Sequence, residues 1–352
     1  MTYLKKIIQD SNNPEYTKIP TVWIENLKIK DFEKNVSAPL ATYEKPLWHS
    51  VARGAYVSGL TQGIEVFIKD DKMTRSVIFE SEKIEDLIKI SQEISDNIND
   101  LKKVTKTTSK FAELLNINTQ IVGNLLYVRF EFFTGDASGH NMTTKASQTL
   151  MNHLLKKYKT LKYVSISGNY CTDKKVSCVN GILGRGKYCI GKIIISSAIC
   201  KKHLNCIPQE IVNLNTKKNL IGSILAGSIR SANAHFANML LAFYLATGQD
   251  AANIIEGSQG ITFAEEKNGD LHFSVTLPNV IIGTVGNGKD LPQIQENLKK
   301  LGCADSKLKP GKNALKLAKI ITSIVLCGEL SLLAAQCNPG ELVDSHMKIE
   351  RK

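Results

Sequence analysis

Asp173, Lys174 and Lys175 stand together in GNYCTDKKVSCVNGILGRGK, residues 168–187, just after a short β-type run at 162–167. The stretch has no helical apolar period, so it is expected on a loop leaving a strand, where functional side chains gather. An aspartate can orient a neighbouring ammonium, and in a dry site that ammonium can polarise a carbonyl and hold the oxyanion that develops on it. On a solvated basic loop the same residues would do neither. Glu44 is a lone carboxylate among Tyr43, Pro46, Leu47 and Trp48. Such a setting is expected to exclude water and raise its pKa, which suits a general acid, although Lys45 would pull the value back. An exposed loop glutamate is the alternative. Asp250 in TGQDAA follows a predicted helix end at Gly248 and could simply cap the next helix. His235 and Asn238 share one face of a predicted helix, near enough for one site, unless His235 is a hydrogen-bonded core residue. His346, close to the C-terminus, reads by itself as an exposed tail histidine.

These groups need positioning elements. Alternation of Leu126, Val128, Phe130 and Phe132 predicts a half-buried strand, followed by the glycine-containing loop 134–139 and a helix over 141–157. Strand, loop and helix N-terminus make an anion site plausible, because first-turn N–H groups and the helix dipole favour phosphate. Ile84, Leu87, Ile88, Ile94, Ile98 and Leu101 define one helical core face over 83–101. Two strands, 64–69 and 76–80, are expected to be joined by the charged KDDKMTR segment, and two more at 273–277 and 280–285. A long core helix over 312–336 ends before Pro339-Gly340. The order helix, strand, helix, strand from 77 to 165 outlines a small α/β unit inserted in a larger domain, after a polar lead-in at 1–38 broken by Pro14 and Pro20.

The chain of 352 residues is 43% apolar and 22% charged, ordinary for a globular protein with a sizeable core. Its net charge of +12 favours polyanions, phosphate-rich cofactors among them. No nucleic-acid module and no basic stripe interleaved with aromatics is present, so no nucleic-acid partner is expected. The longest apolar run, 320–326, is too short to span a bilayer, and the N-terminus lacks a signal core, so no membrane and a cytoplasmic location are expected. The 8 cysteines show no zinc-ligand spacing. Reduced thiols and no metal follow.

Read together and in order, TYEKPLWHSVARG (42–54), FTGDASGHNMTTKAS (133–147), SGNYCTDKK (167–175), NAHFANMLLAFYLATGQDAAN (233–253) and GELSLLAAQCNPGELVDSHM (328–347) resemble the soluble catalytic domain of 3-hydroxy-3-methylglutaryl-CoA reductase, NADPH-dependent and class I-like. The resemblance implies an α+β fold with a large mixed helix/sheet HMG-CoA-binding domain (39–76 and 168–338), an inserted ferredoxin-like NADP(H)-binding domain (77–167) and a C-terminal flap (339–352). It implies reduction of HMG-CoA to mevalonate and CoA with two NADPH, in a homodimer or homotetramer whose subunits share sites. In that scheme Lys174 stabilises the oxyanion, Glu44 donates a proton during carbonyl reduction, Asp250 tunes both, and His346 protonates departing CoA thiolate. Ser50 and Arg53 match CoA contacts, and Arg75, Ser167, Asn169, Asp173, Lys175, His235 and Asn238 match substrate-binding positions. Ser109 and Lys110 would meet the 2′-phosphate, with Phe111 beside them. Asp136, Asn141, Met142 and Arg351 would contact the dinucleotide. Departures from the family pattern are Tyr43 and Lys45 around the glutamate, Ala52 for asparagine, Val176-Ser177-Cys178 for Pro-Ala-Ala, Asn287 in a glycine turn, and the missing Glu-Asn-Val-Ile-Gly segment. They suggest the alternative of a degenerate, non-catalytic CoA-ester binder. His140 replaces the usual methionine and reads as a local packing change.

Overall fold

The computed structural model describes residues 15–350, apart from the side chains of His346 and Glu350. Its strands are β1 (Thr21–Leu27), β2 (Val36–Ala41), β3 (Glu65–Glu80), β4 (Glu113–Val122), β5 (Leu125–Phe133), β6 (Lys162–Ser165), β7 (Gly186–Ile195), β8 (Ile261–Lys267) and β9 (Asp270–Val280). The first helices are α1 (Lys45–Gly59), α2 (Ile84–Asp96), α3 (Ile98–Lys106) and α4 (His140–Lys157).

One 16-residue strand, β3, links two hydrophobic cores. Its first half pairs with β7 and its second half with β5, on one side, and β6, on the other. The charged middle segment, expected as a connector, is therefore strand. Its charges find partners across the change of neighbour: Lys72 lies 2.8 Å from Asp70 and 3.0 Å from Glu131, and Lys187 lies 2.9 Å from Asp71. A segment whose charges are paired sideways need not leave the sheet.

From the second half of β3 the chain runs α2–α3, β4, β5, α4 and β6, giving the antiparallel order β4-β5-β3-β6. This is the ferredoxin-like arrangement. Val77, Phe79, Leu126, Val128, Phe130 and Phe132 of the sheet pack against Leu87, Ile90 and Ile94 of α2 and Leu150, Met151 and Leu154 of α4. The single helix expected over 83–101 is two helices, broken at Asn97, where the backbone and side-chain nitrogens both donate to Glu93 O. That side-chain bond offers the backbone a non-helical alternative.

The other core surrounds the helix Lys312–Cys337, long and apolar enough to cross a membrane, yet buried over 89% of its most apolar window. Around it lie β7, β9, α1, the helix Phe236–Ala246 and the β1–β2 hairpin. The polar stretch 1–38 thus includes more than a lead-in: Ile24, Leu27 and Ile29 from the β1 region and Ala38 from β2 are core residues. Two glycines set the helix spacing. A Cβ on Gly54 would lie 2.3 Å from Cys327 O, and one on Gly328 would lie 2.5 Å from Met239 Sδ. Their absence of a side chain brings α1 and the helix Phe236–Ala246 against the long helix. The strand expected at 280–285 is absent: β9 runs continuously to Val280, and Thr284 N instead donates to Asp136 O (2.8 Å).

Candidate active site

The loop after β6 carries Asn169, Thr172 and Lys174 in the left-handed region, with φ of 57°, 44° and 56°. Non-glycine residues there are uncommon and need outside support. Support comes from buried charge. Arg185, from the GRGK segment, places Nη2 2.9 Å from Asp173 Oδ1 and Nη1 2.7 Å from Glu256 Oε1. Glu256 Oε1 also accepts from the backbone N–H of Lys174 (3.1 Å) and from Asn253 Nδ2 (3.0 Å). Arg185 and Glu256 are buried, and burial pushes the Glu256 carboxyl up although Arg185 opposes it.

Held in this way, Lys174 extends Nζ to within 2.7 Å of Asp250 Oδ2. The other Asp250 oxygen accepts from Ala252 N (3.1 Å), so this residue both caps a turn and pairs with the lysine. The hydrogen bond that Lys174 donates to Asp250 raises the lysine pKa. Burial alone would raise Asp250, but Lys174 and the Ala252 N–H outweigh it and keep the carboxyl below its usual range. Lys175, Ser167 and Asn169 lie exposed on the same loop, with Lys175 Nζ donating to Asp173 O (3.1 Å).

A second group forms at the start of α1. Glu44 directly precedes the helix, half-buried, and accepts from Asn238 Nδ2 at 3.0 Å. Tyr43 does not roof it: that ring is 66% exposed, and its hydroxyl donates to Lys18 O. Glu44, Ser50, Arg53, His235 and Asn238 line one cavity of about 520 Å³, closed on one side by Leu342, Ser345 and Ile349 of the C-terminal helix Glu341–Glu350. Arg53 reaches Glu341 Oε1 (2.6 Å) and Ser331 Oγ (3.0 Å). His235 sits just before its helix rather than within it, with Nε2 2.9 Å from Gly328 O. A larger cavity, about 1210 Å³, lies beside the β1–β2 loop and holds none of these residues, so size does not mark the site.

The third group belongs to the ferredoxin-like unit. Arg75 on β3 donates twice to Thr144 Oγ1 on α4. Asp136 accepts from Gly311 N and Ala314 N, each at 2.9 Å, and so caps the long helix. Its carboxylate anchors the loop instead of facing outward. Gly139 precedes α4 without a side-chain cap, which leaves first-turn N–H groups around Asn141 and Met142 for another acceptor. Ser109, whose Oγ accepts from Phe111 N (3.1 Å), and the exposed Lys110 and Phe111 lie just before β4. Arg351 and the His346 side chain lie outside the described residues.

The profile of the family described as Hydroxymethylglutaryl-coenzyme A reductase matches residues 14–351. The 3-hydroxy-3-methylglutaryl-coenzyme A reductase of Aeropyrum pernix is 43% identical over 314 residues, 89% of this chain and 74% of that protein. That of Pyrococcus abyssi is 45% identical over 302 residues, 84% of this chain and 73% of that protein. The chain belongs to the hydroxymethylglutaryl-coenzyme A reductase family. A class II reductase from Streptococcus pneumoniae, solved bound to NADPH, superposes with a TM-score of 0.75 over 96% of this chain and 89% of its own, at 16% identity. That likeness speaks for the fold alone.

Within this reductase fold, sequence reasoning overlooked the residues behind the site. Arg185 stands between glycines with φ of 80° and 86°, and an arginine so placed in GRGK was its only signal. Glu256, in IIEG, is an acid against apolar neighbours. Glu329, in GELSL, is fully buried and accepts from Ala234 N (2.5 Å), His235 N (3.1 Å) and Thr262 Oγ1 (2.8 Å). It fixes the segment that presents His235 and Asn238.

Proposed function

We propose that this chain reduces 3-hydroxy-3-methylglutaryl-CoA to mevalonate and CoA with two NADPH, and that Lys174, Asp250, Glu44 and His346 carry the proton and charge handling. The observation behind the assignment is the 2.7 Å Lys174–Asp250 pair on a loop braced by buried charge, in a chain of this family. The Lys174 ammonium, kept protonated by Asp250, holds the negative charge that grows on the thioester oxygen. Glu44, oriented by Asn238, gives a proton to the carbonyl oxygen. His346, on the helix that closes the cavity, protonates the CoA thiolate, which would otherwise add back. Ser50 and Arg53 face a cavity suited to CoA phosphate, and Arg75, Ser167, Asn169, Asp173, Lys175 and His235 complete the substrate side.

The loop 134–139 and the open first turn of α4 fit an anionic dinucleotide, with Lys110 and Ser109 toward the 2′-phosphate. Bound there, NADPH supplies hydride. Separate cores support the division into 77–167 and the remainder, with 339–352 as a flap. Class I-like character rests on the motif resemblance, while the enzyme whose fold superposes is class II. A homodimer or homotetramer is favoured by exposed Ile224 (79%) and Leu225 (88%), together with Val176, Ile182 and Ile229 near the lysine loop. The protein is soluble and cytoplasmic in this reading, and nothing among the described residues favours the non-catalytic binder.

The test is NADPH absorbance with purified protein and HMG-CoA, with mevalonate assayed and NADH run in parallel. HMG-CoA-dependent oxidation yielding mevalonate is expected. Folded protein that binds HMG-CoA yet oxidises no NADPH would overturn the proposal.

A further inference from the structure

The group in the site for which the scheme above has no use is His140. It opens α4, and its imidazole is largely buried between the dinucleotide loop and the lysine loop. Its Nε2 lies 3.7 Å from Asp173 Oδ1. Both atoms are buried, and neither makes a well-aligned hydrogen bond, although Arg185 Nη2 is 2.9 Å from the same aspartate oxygen. Two buried polar atoms facing each other just beyond bonding distance are an unstable arrangement unless something joins them.

Burial, and then the Arg185 charge, push the His140 pKa down to about 4, against the opposing pull of Asp173 and Asp250 and with Lys174 adding to the depression. The ring is therefore neutral where the enzyme works, and it cannot serve as a second proton donor by titrating. What remains is one N–H. A carboxylate can only accept, so the nitrogen facing Asp173 is the one that carries the hydrogen.

We propose that His140 is a positioning residue of the reduction: its Nε2–H closes the 3.7 Å gap to the Asp173 carboxylate when the ligands bind, and so ties the dinucleotide loop to the loop that carries Lys174. The bond joins two elements that are far apart in sequence and must be placed correctly relative to each other for hydride transfer. Arg185 holds Asp173 from behind, so His140 acts on a carboxylate already fixed on its other side. The inference rests on the reading that Lys174 is catalytic and that the α4 loop takes the dinucleotide.

The experiment compares His140→Met with His140→Gln. Methionine restores the usual family side chain and fills the space without a donor, whereas glutamine keeps an N–H at about the same reach as Nε2. Turnover is expected to fall about tenfold in H140M and to be substantially restored in H140Q. A second readout needs no catalysis: HMG-CoA affinity by calorimetry, with and without NADP+, gives the coupling between the two ligands. H140M should weaken that coupling severalfold, and H140Q should preserve it. If H140M matches the wild type in turnover and coupling, or if H140Q is as impaired as H140M, His140 is a packing residue and the proposal fails. Failure of the wider reading would look different, as undiminished turnover in Lys174→Ala or no NADP+ binding by the wild type.

Discussion

The Lys174 group and the Glu44 group, which the proposed reaction would use together, are built differently. Lys174 sits on a loop in left-handed backbone geometry, and its place depends on the buried charges of Arg185 and Glu256 and on the half-buried Asp173 behind it. Glu44 sits at a helix start, and its place depends on packing: α1 lies against the long helix because Gly54 has no side chain, and Asn238 is delivered by a helix seated at Gly328. The first group should be brittle toward changes of charge. The second should yield mainly to changes of volume. A buried ion pair also contributes little net stability while intact and much instability when halved.

The largest effect is expected from Glu256→Ala, which leaves Arg185 buried beside one remaining carboxylate and removes the acceptor for Lys174 N. It should cost about 3–5 kcal/mol, read as a fall in the urea midpoint. A loss below about 1 kcal/mol would mean that the two groups are not built differently after all. Next comes Lys174→Ala, expected to lower kcat by about 10²–10³-fold while costing no more than about 1 kcal/mol in the urea midpoint, since the pair it breaks is some two-fifths exposed. The contrast sharpens the comparison, because the residue proposed to do the chemistry is expected to matter little for folding and the residue behind it to matter much. Equal loss of stability in both variants would contradict that.

The same contrast explains what was legible in the sequence. Lys174, Asp250 and Glu44 stand out because they occupy motif positions of the resemblance, and their loops and helices carry ordinary turn and period signals. The inserted α/β unit was legible from its element order and its ferredoxin-like character from the resemblance, although β4 was not, since ELLNINTQIV buries only Leu114 and Ile117 of its ten residues. Arg185 and Glu256 were silent, because a charged residue in sequence looks exposed until the fold supplies its partner. The unbroken β3 was hidden for the same reason: Asp70, Asp71 and Lys72 read as a polar linker until Glu131 and Lys187 arrive from distant strands. His140 was visible as a departure from the family pattern, but only the structure brings Asp173 to it.

On the packed side, Arg53→Ala removes the tie between α1 and the C-terminal helix. The pair is about a quarter exposed, so roughly 1 kcal/mol or less of stability is at stake. If Arg53 also meets CoA phosphate, KM for HMG-CoA should rise about tenfold in this variant. Glu341→Ala separates the two roles, since it loosens the helix while leaving the guanidinium in place. A KM increase of the same size in both variants would assign Arg53 to the tether alone.

The smallest effect concerns pH. Asp250 titrates below its usual range in the folded protein, so the Lys174 pair adds stability above the unfolded carboxylate pKa of about 3.9 and loses it as pH falls through the lower folded value. Glu256 has the opposite sign: its raised carboxyl favours the fold in acid and costs stability as pH rises from about 4.3 through the folded value. Exposed and buried carboxylates of one site thus oppose each other across the same acid range. Asp250→Asn should therefore destabilise by under about 1 kcal/mol near neutrality, both partners being some two-fifths exposed, and by progressively less below pH of about 4. Urea midpoints at neutral and acid pH measure this directly. A deficit that stays constant into acid would show that Asp250 does not contribute through its charge, leaving Lys174 with only the loop behind it for support.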